Sequence, residues 1–169
     1  MFNRICIFII IFFISNLSYS DDNNQLLLHE KSKKITEFKL LDLEGREHLI
    51  SQNSSELLLI NFWATWCPPC IKEIPDLLDL KKIYKNKIEL LFISVDNNAS
   101  KVVPEFLKKN NFSKIKIYKD EKLKIAGKFK VNVMPTTLII NKNFDEIARI
   151  EGFIDWLSEE KIIFFEELL

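Results

Sequence analysis

The sequence predicts an α/β sandwich in which helices flank a mixed central β-sheet. Residues 57–62 and 88–95 are two continuous apolar segments, as expected of strands that are covered on both faces. Between them, the apolar residues of the segment 68–84 recur at steps of three and four, which is the period of an amphipathic helix. Strand patterns that alternate with helix patterns in this way are typical of the α/β class.

Turn signals and periodicity predict the other elements. Two strand patterns flank Glu44-Gly45, which predicts an N-terminal hairpin over residues 36–50. The later patterns predict a helix from about residue 102 to 111, a strand at 115–118, a helix at 121–129, strands at 136–140 and 146–153, and a closing helix that Ser158 caps and that ends at Leu169.

Residues 1–20 have the pattern of an export signal. Arg4 precedes an unbroken apolar run from Ile5 to Ile14, and Ser18-Tyr19-Ser20 offers small residues where a signal peptidase cuts. The run is shorter than the roughly 20 apolar residues of a membrane helix, and an uncleaved anchor is the alternative. We therefore expect a signal peptide or N-terminal anchor at 1–20, a polar linker at 21–34 and one domain at 35–169.

The composition narrows the functional class. The chain has 24 Lys and Arg residues and 24 Asp and Glu residues, so its formal charge is zero. A nucleic-acid-binding domain usually carries an excess of basic residues, and this balance argues against one. With 47% hydrophobic and 12% aromatic residues the chain can form a core, which argues against a disordered protein.

Two cysteines remain for chemistry once the export segment is set aside. Cys6 lies inside that segment, whereas Cys67 and Cys70 enclose two prolines between a predicted strand and a predicted helix. Pro68 suits the first helical position, which places Cys67 at the N-cap, where the helix dipole favours the nucleophilic thiolate. The prolines offer no N–H groups, so we expect the Cys70 N–H to be the main donor to the Cys67 sulfur. We therefore expect the Cys67 thiolate to be stabilised only moderately.

Two alternative roles for this cysteine pair are weaker. As a structural staple, a disulfide that closes four residues contributes roughly 2 kcal/mol, against about 4–5 for a loop of around a hundred residues. Structural zinc needs two further ligands, and the only histidines are His29 and His48, both upstream. We expect no metal and no cofactor. A non-catalytic binding or metal-delivery module remains the alternative from another class.

The segment 62–70, FWATWCPPC, resembles the active-site segment of the thioredoxin-like thiol–disulfide oxidoreductases of bacterial envelopes, the TlpA/ResA type. Pro75 is similar to the proline within the active-site helix of that family, and residues 131–137 resemble its loop with a cis-proline, here Met134-Pro135. The resemblance covers roughly residues 35–169. It implies a thioredoxin-like fold with an N-terminal β-hairpin and an inserted helix–strand element between residues 95 and 120.

One position departs from plain thioredoxin and another matches the envelope branch. Asn61 stands where thioredoxin has a buried aspartate, and an amide cannot take a proton. Glu73, three residues after Cys70, matches the active-site glutamate of the envelope branch, and we expect it to relay a proton for Cys70, tuned by partial burial. The alternative is that Glu73 only complements the helix dipole.

The resemblance implies an enzyme, a protein-disulfide reductase. We expect Cys67, Cys70 and Glu73 to be the catalytic residues. Substrate-binding residues are expected at Trp66, Pro68, Pro69, Met134 and Pro135. The implied partners are disulfides of apocytochrome c or of copper-site assembly proteins, together with a membrane electron-donor protein, in the periplasm or on a retained anchor at the inner membrane facing outward. A disulfide oxidant or isomerase is the alternative within enzymes.

Overall fold

The computed structural model describes residues 26–52, 54–112 and 115–169. Over these residues the chain forms eight strands and four helices. The strands are β1 (Leu26–Lys34), β2 (Phe38–Asp42), β3 (Glu47–Ile50), β4 (Leu57–Trp63), β5 (Ile88–Ser94), β6 (Ile117–Lys119), β7 (Thr136–Asn141) and β8 (Asp145–Glu151). The helices are α1 (Pro68–Tyr84), α2 (Ala99–Lys109), α3 (Lys124–Lys128) and α4 (Glu159–Leu168).

All eight strands belong to one mixed sheet, in the order β1-β8-β7-β4-β5-β6-β2-β3. Strands β4, β5 and β6 run parallel to one another, and every other neighbouring pair is antiparallel. The α/β class, the mixed sheet and the hairpin of β2 and β3 are confirmed. The insertion of α2 and β6 between β5 and α3 is confirmed as well.

Strand β4 lies at the centre of the sheet because its side chains are apolar on both faces. All seven of its residues are buried, and Leu59 is paired with Leu90 of β5 on one side and with Ile139 of β7 on the other. A strand of this kind is stable only when helices or loops cover both faces of the sheet. The residues that follow Trp63, at the C-terminal end of β4, are therefore held in a fixed position at that end of the sheet.

Helix α1 begins and ends where the sequence predicts, at Pro68 and Tyr84. Its buried face includes Ile74, Leu77 and Leu80, which recur at the helical period and pack into the core. Proline at the first position costs no hydrogen bond there. The helix also continues through Pro75, which is exposed.

The linker predicted for residues 21–34 is wrong over its second part, because Leu26–Lys34 form β1. This strand pairs antiparallel with β8, and the His29 ring contacts Glu146 Oε1 at 2.8 Å. Most of its side chains are charged or polar and exposed, as is common on the edge strands of sheets. A polar edge strand has the composition of a linker, and only its pairing with β8 distinguishes the two.

Two further predictions need correction at helix starts. Ser158 occupies the N-cap position of α4, but its hydroxyl donates to the carbonyl of Asp155 at 3.0 Å rather than capping the helix. Helix α3 starts three residues later than predicted, because the Asp120 carboxylate accepts the N–H groups of Ile125 and Ala126 at 2.9 and 2.7 Å.

The predicted export segment, residues 1–20, lies outside the described residues, as do the next five residues of the predicted linker. Within the part of the chain that the structure describes, none of the helices has the length and hydrophobicity to cross a membrane.

Candidate active site

Cys67 and Cys70 lie where the central strand β4 gives way to α1. Their sulfurs form a disulfide, and their Cα atoms are 5.3 Å apart. Cys67 keeps 4% of its surface exposed and Cys70 none, although the two prolines between them are exposed. Of the two cysteines, only Cys67 therefore keeps any surface that solvent can contact.

The N-terminus of α1 acts on the Cys67 sulfur. Cys67 is the N-cap, and its sulfur accepts the N–H of Cys70 at 3.4 Å, as expected from the sequence. Pro68 and Pro69, at the next two positions, have no N–H to donate. The helix dipole therefore favours negative charge on the sulfur, but only one backbone hydrogen bond from the described residues reaches it. This combination suits a thiolate of moderate stability.

The segment before Cys67 is fixed by a buried carboxylate that the sequence analysis did not single out. Asp96, which follows β5, accepts the Thr65 N–H at 3.0 Å and the Thr65 hydroxyl at 2.7 Å. The hydroxyl of Ser94 donates to the same carboxylate at 2.8 Å. These bonds tie the loop between β4 and Cys67 to the neighbouring parallel strand. No local sequence signal links Asp96 to Thr65, because 31 residues separate them.

We expect Asp96→Ala to lower the free energy of unfolding by about 2 kcal/mol, because it leaves the buried Ser94 hydroxyl and the half-buried N–H and hydroxyl of Thr65 without their acceptor. The rate of disulfide exchange should also fall severalfold, since the loop that carries Cys67 loses its attachment. Urea unfolding and insulin reduction measure the two effects. Asp79→Ala, which removes an exposed partner of Lys82, is the control and should change neither. Wild-type values for Asp96→Ala in both assays would show that the attachment has no role.

Glu73 is buried on the same helix as Cys70, with none of its surface exposed. Asn61 Nδ2 donates to Glu73 Oε1 at 2.7 Å, and the Trp156 indole N–H donates to Oε2 at 3.1 Å. Burial raises the pKa of Glu73 to about 7; the two hydrogen bonds oppose the rise and the charge of Asp76 adds to it. The burial is complete rather than partial as expected, and the carboxyl is poised to gain or lose a proton near neutral pH.

The loop that contains Met134 and the side chain of Trp66, the residue before Cys67, border one cleft. The Met134–Pro135 peptide bond is cis, as the resemblance implies, and Pro135 is buried. Trp66 is 66% exposed and lines a cleft of about 530 Å³ together with Met134. The rest of the lining is mainly apolar and includes Val95, Leu123 and Val131. An apolar cleft beside the disulfide can receive a peptide segment.

The predicted site residues therefore fall into one region. Cys67, Cys70 and Glu73 share α1, Pro68 and Pro69 form its exposed first turn, and Trp66 and Met134 border the cleft. Asp96, which holds the loop before Cys67, and Trp156, which donates to Glu73, are the functional candidates that the sequence analysis missed. Among the described residues, His, Cys, Asp and Glu side chains form no group of three or more that could hold a metal ion.

Comparison with solved structures gives the same fold. A thiol:disulfide interchange protein DsbE from Chlorobium tepidum, described as putative, superposes with a TM-score of 0.71 at 21% identity, and the match covers 82% of this chain and 97% of that one. A putative thioredoxin from Neisseria meningitidis gives a TM-score of 0.66 at 25% identity, covering 82% and 91%. The thioredoxin-like fold expected from the resemblance is confirmed.

Comparison of sequences identifies the family. The model of the AhpC/TSA family matches residues 32–147. A thiol-disulfide oxidoreductase ResA of Bacillus cereus is 31% identical over 121 residues, which cover 71% of this chain and 69% of that protein. ResA of Geobacillus kaustophilus is 33% identical over 117 residues, covering 69% and 66%. The chain belongs to the AhpC/TSA family, as a thioredoxin-like thiol–disulfide oxidoreductase of the TlpA/ResA type.

Proposed function

We propose that this chain reduces disulfides of partner proteins outside the cytoplasm, with Cys67 as the attacking thiolate. The observation that carries the proposal is the unequal accessibility of the two cysteines: Cys67, at the start of α1, keeps 4% of its surface accessible and Cys70 keeps none. In exchange reactions the accessible thiolate attacks first and the buried one resolves the intermediate.

The first step joins the chain to its substrate. The Cys67 thiolate attacks one sulfur of the partner's disulfide, that bond breaks, and the other partner sulfur leaves as a thiolate. A mixed disulfide between Cys67 and the partner remains. An extended partner segment can lie along Met134 and Pro135 and place its side chains in the cleft beside Trp66.

The second step releases the reduced partner. The Cys70 thiol gives its proton to the Glu73 carboxylate, and the Cys70 thiolate attacks the Cys67 sulfur. The mixed disulfide breaks, the second partner sulfur leaves as a thiolate, and the disulfide between Cys67 and Cys70 remains. Two electrons have then passed from this chain to the partner. Glu73 suits the role because its pKa, about 7, lets it accept and return a proton at neutral pH.

The direction of exchange rests on how weakly the Cys67 thiolate is stabilised. A strong oxidant is one whose reduced form is stabilised. Here two prolines remove backbone donors from the Cys67 sulfur, which favours a reductant. We propose cysteine pairs of apocytochrome c or copper-site assembly proteins as substrates. The disulfide left behind then needs a membrane protein that donates electrons, and the apolar segment at residues 1–20 supports export to the same compartment, by cleavage or on a retained anchor.

Two measurements on the purified chain test this proposal. With dithiothreitol as electron source we expect the chain to reduce insulin catalytically. In glutathione redox buffers we expect a reduction potential close to the thioredoxin value of about −270 mV. A potential near −120 mV would instead mark a disulfide oxidant. An absence of turnover together with stoichiometric metal in the purified protein would mark a metal-delivery module.

We expect Trp66→Ala to weaken the reaction with protein disulfides selectively. The exposed indole offers apolar surface to a bound segment but takes no part in bond exchange. The second-order rate constant of the reduced chain with insulin should fall about tenfold, equivalent to about 1.4 kcal/mol, while that with hydroxyethyl disulfide stays unchanged. Trp66→Phe, which keeps an aromatic ring, should retain most of the rate. Equal losses with both disulfides would mean that Trp66 acts on the cysteines and not on the substrate.

A further inference from the structure

Asn61 carries a buried acceptor with no partner. This residue lies in β4 with none of its surface exposed, and its Nδ2 donates to Glu73 Oε1 at 2.7 Å and to Thr137 Oγ1 at 2.9 Å. Its Oδ1 is also buried, and among the described residues no group donates to it. An unsatisfied buried oxygen is unfavourable and calls for an explanation. The present arrangement, with Nδ2 towards Glu73, is here termed the donor orientation.

The other neighbour of Glu73 decides where a proton on this carboxyl must sit. Trp156 Nε1 donates to Oε2, and an indole nitrogen can only donate. Oε2 therefore has to remain an acceptor in both charge states of Glu73, and the proton belongs on Oε1. In the donor orientation, however, Oε1 faces the N–H of Asn61. If Oε1 carried a proton in this orientation, the O–H of Glu73 and the N–H of Asn61 would point at each other, and neither would have an acceptor.

We propose that Asn61 is a positioning residue whose side-chain amide reverses each time Glu73 gains or loses its proton. In the reversed form, the acceptor orientation, Oδ1 accepts the O–H of Glu73. This inference rests on the proposed function, in which Glu73 takes the proton of Cys70. That proton moves from the Cys70 sulfur to Oε1, and no other covalent bond changes.

Thr137 is suited to accompany the reversal. It lies in β7, opposite Asn61 in the antiparallel pairing with β4. A hydroxyl group can donate as well as accept. It accepts from Nδ2 in the donor orientation and can donate to Oδ1 in the acceptor orientation. One buried hydroxyl thus serves the amide in both states, and the oxygen that lacks a partner at present becomes the acceptor that the protonated carboxyl needs.

The side chains that form hydrogen bonds with Glu73 are uncharged. Asp76, on the same helix, is the charged residue that acts on Glu73, and its negative charge favours the protonated carboxyl. Asn61 from β4 and Trp156 from the segment before α4 are uncharged. Cys70, also on α1, is tied in the disulfide and does not titrate in this form. When the charge of Glu73 changes, the group that can adjust its hydrogen bonding is therefore the Asn61 amide, and no ion pair among the described residues forms or breaks.

Nuclear magnetic resonance of the full oxidised chain tests the reversal directly. Between pH 5 and pH 9 we expect the nuclear Overhauser effects from the Asn61 amide protons to the Thr137 side chain to be strong above the Glu73 midpoint and lost below it. The midpoint itself comes from the carbon resonance of the Glu73 carboxyl. If these effects keep the same strength through the titration of Glu73, the amide does not reverse and the inference is wrong.

The variant Glu73→Gln gives an independent test because it imitates the protonated acid at every pH. The glutamine oxygen must face the Trp156 N–H, so its NH₂ group faces Asn61. We expect Asn61 to stay in the acceptor orientation in this variant, without contacts from its amide protons to Thr137 at any pH. Contacts that persist as in the wild type at high pH would contradict the inference.

A third test measures the titration of Glu73 in a variant that lacks the Asn61 amide. Asn61→Leu removes a donor to the carboxylate, and because hydrogen bonds to a charged group are the stronger ones, the Glu73 midpoint should move up. The pH profile of disulfide exchange should move with it. Thr136→Val is the control: it removes a buried hydroxyl that bonds the carbonyl of Val133, away from Glu73, and should leave the midpoint in place. An unmoved midpoint in Asn61→Leu would overturn the inference, whereas an inactive wild-type chain would overturn the proposed function instead.

Discussion

Cys67→Ser is expected to abolish the reduction of insulin, down to the rate of dithiothreitol alone. Serine keeps the shape of the side chain but its hydroxyl does not ionise near neutral pH, and the thiolate is the nucleophile in disulfide exchange. Cys70 cannot replace it, because that residue is fully buried. The oxidised wild-type chain and the variant should both remain folded, since a bridge over four residues contributes little to stability.

Cys70→Ser should fail at a different step. Cys67, the more accessible of the two cysteines, can still attack, but no second thiol resolves the intermediate, so a covalent adduct with the substrate accumulates. Non-reducing electrophoresis detects the adduct, and mass spectrometry of adducts trapped in cells identifies the physiological partners. Cys6→Ser, in the predicted export segment, is the matched control and should leave turnover unchanged. Adducts on Cys70 in the Cys67→Ser variant, with none in Cys70→Ser, would reverse the proposed roles.

The elements that the sequence predicts best are those whose pattern of apolar residues follows directly from which of their faces are buried. Strand β4 is apolar along its whole length because it is covered on both faces, and α1 repeats its apolar residues at the helical period. Strand β1 is different: it has exposed side chains on most positions and exists because β8 offers it backbone partners. Such an element depends on a segment more than a hundred residues away, and no local pattern reveals it.

The same distinction holds for the site. Cys67, Cys70 and Glu73 lie within seven residues, so their spacing and the family resemblance suffice to bring them together on α1. The hydrogen bonds that fix them come from other segments. Asp96 and Trp156 reach the site only through the packing of the sheet. A buried Trp needs an acceptor for its N–H, but the sequence alone does not say which carboxylate supplies it.

Glu73→Gln should remove a pH dependence from the stability of the oxidised chain. In the folded wild type Glu73 holds its proton up to about pH 7, whereas in the unfolded chain it releases it near 4.5. The folded state therefore binds more protons between these values, and the free energy of unfolding falls as pH rises from 4.5 to 7, by about 3 kcal/mol in all. Above pH 7 both states are ionised and the loss is complete.

Urea unfolding at pH 5, 6, 7 and 8 measures this effect as a difference between proteins. The free energy of unfolding of Glu73→Gln minus that of the wild type should grow by about 2.5 kcal/mol from pH 5 to pH 8, because the amide does not titrate and part of the wild-type loss lies below pH 5. Glu105→Gln, which changes an exposed glutamate of α2, should show a constant difference. A constant difference for Glu73→Gln as well would mean that the buried carboxyl titrates in the folded chain as it does in the unfolded one.

The same substitution should slow the resolving step of the reaction. Without a carboxylate to accept the Cys70 proton, release of the reduced partner should fall by about a hundredfold, the lower end of what a positioned acid or base contributes. The rate profile should also lose its inflection near pH 7. A purely structural Glu73 predicts another outcome: the stability difference would still vary with pH, because burial alone produces it, but the rate and its profile would stay as in the wild type. Stability and kinetics measured on one variant therefore separate the proton relay from mere burial.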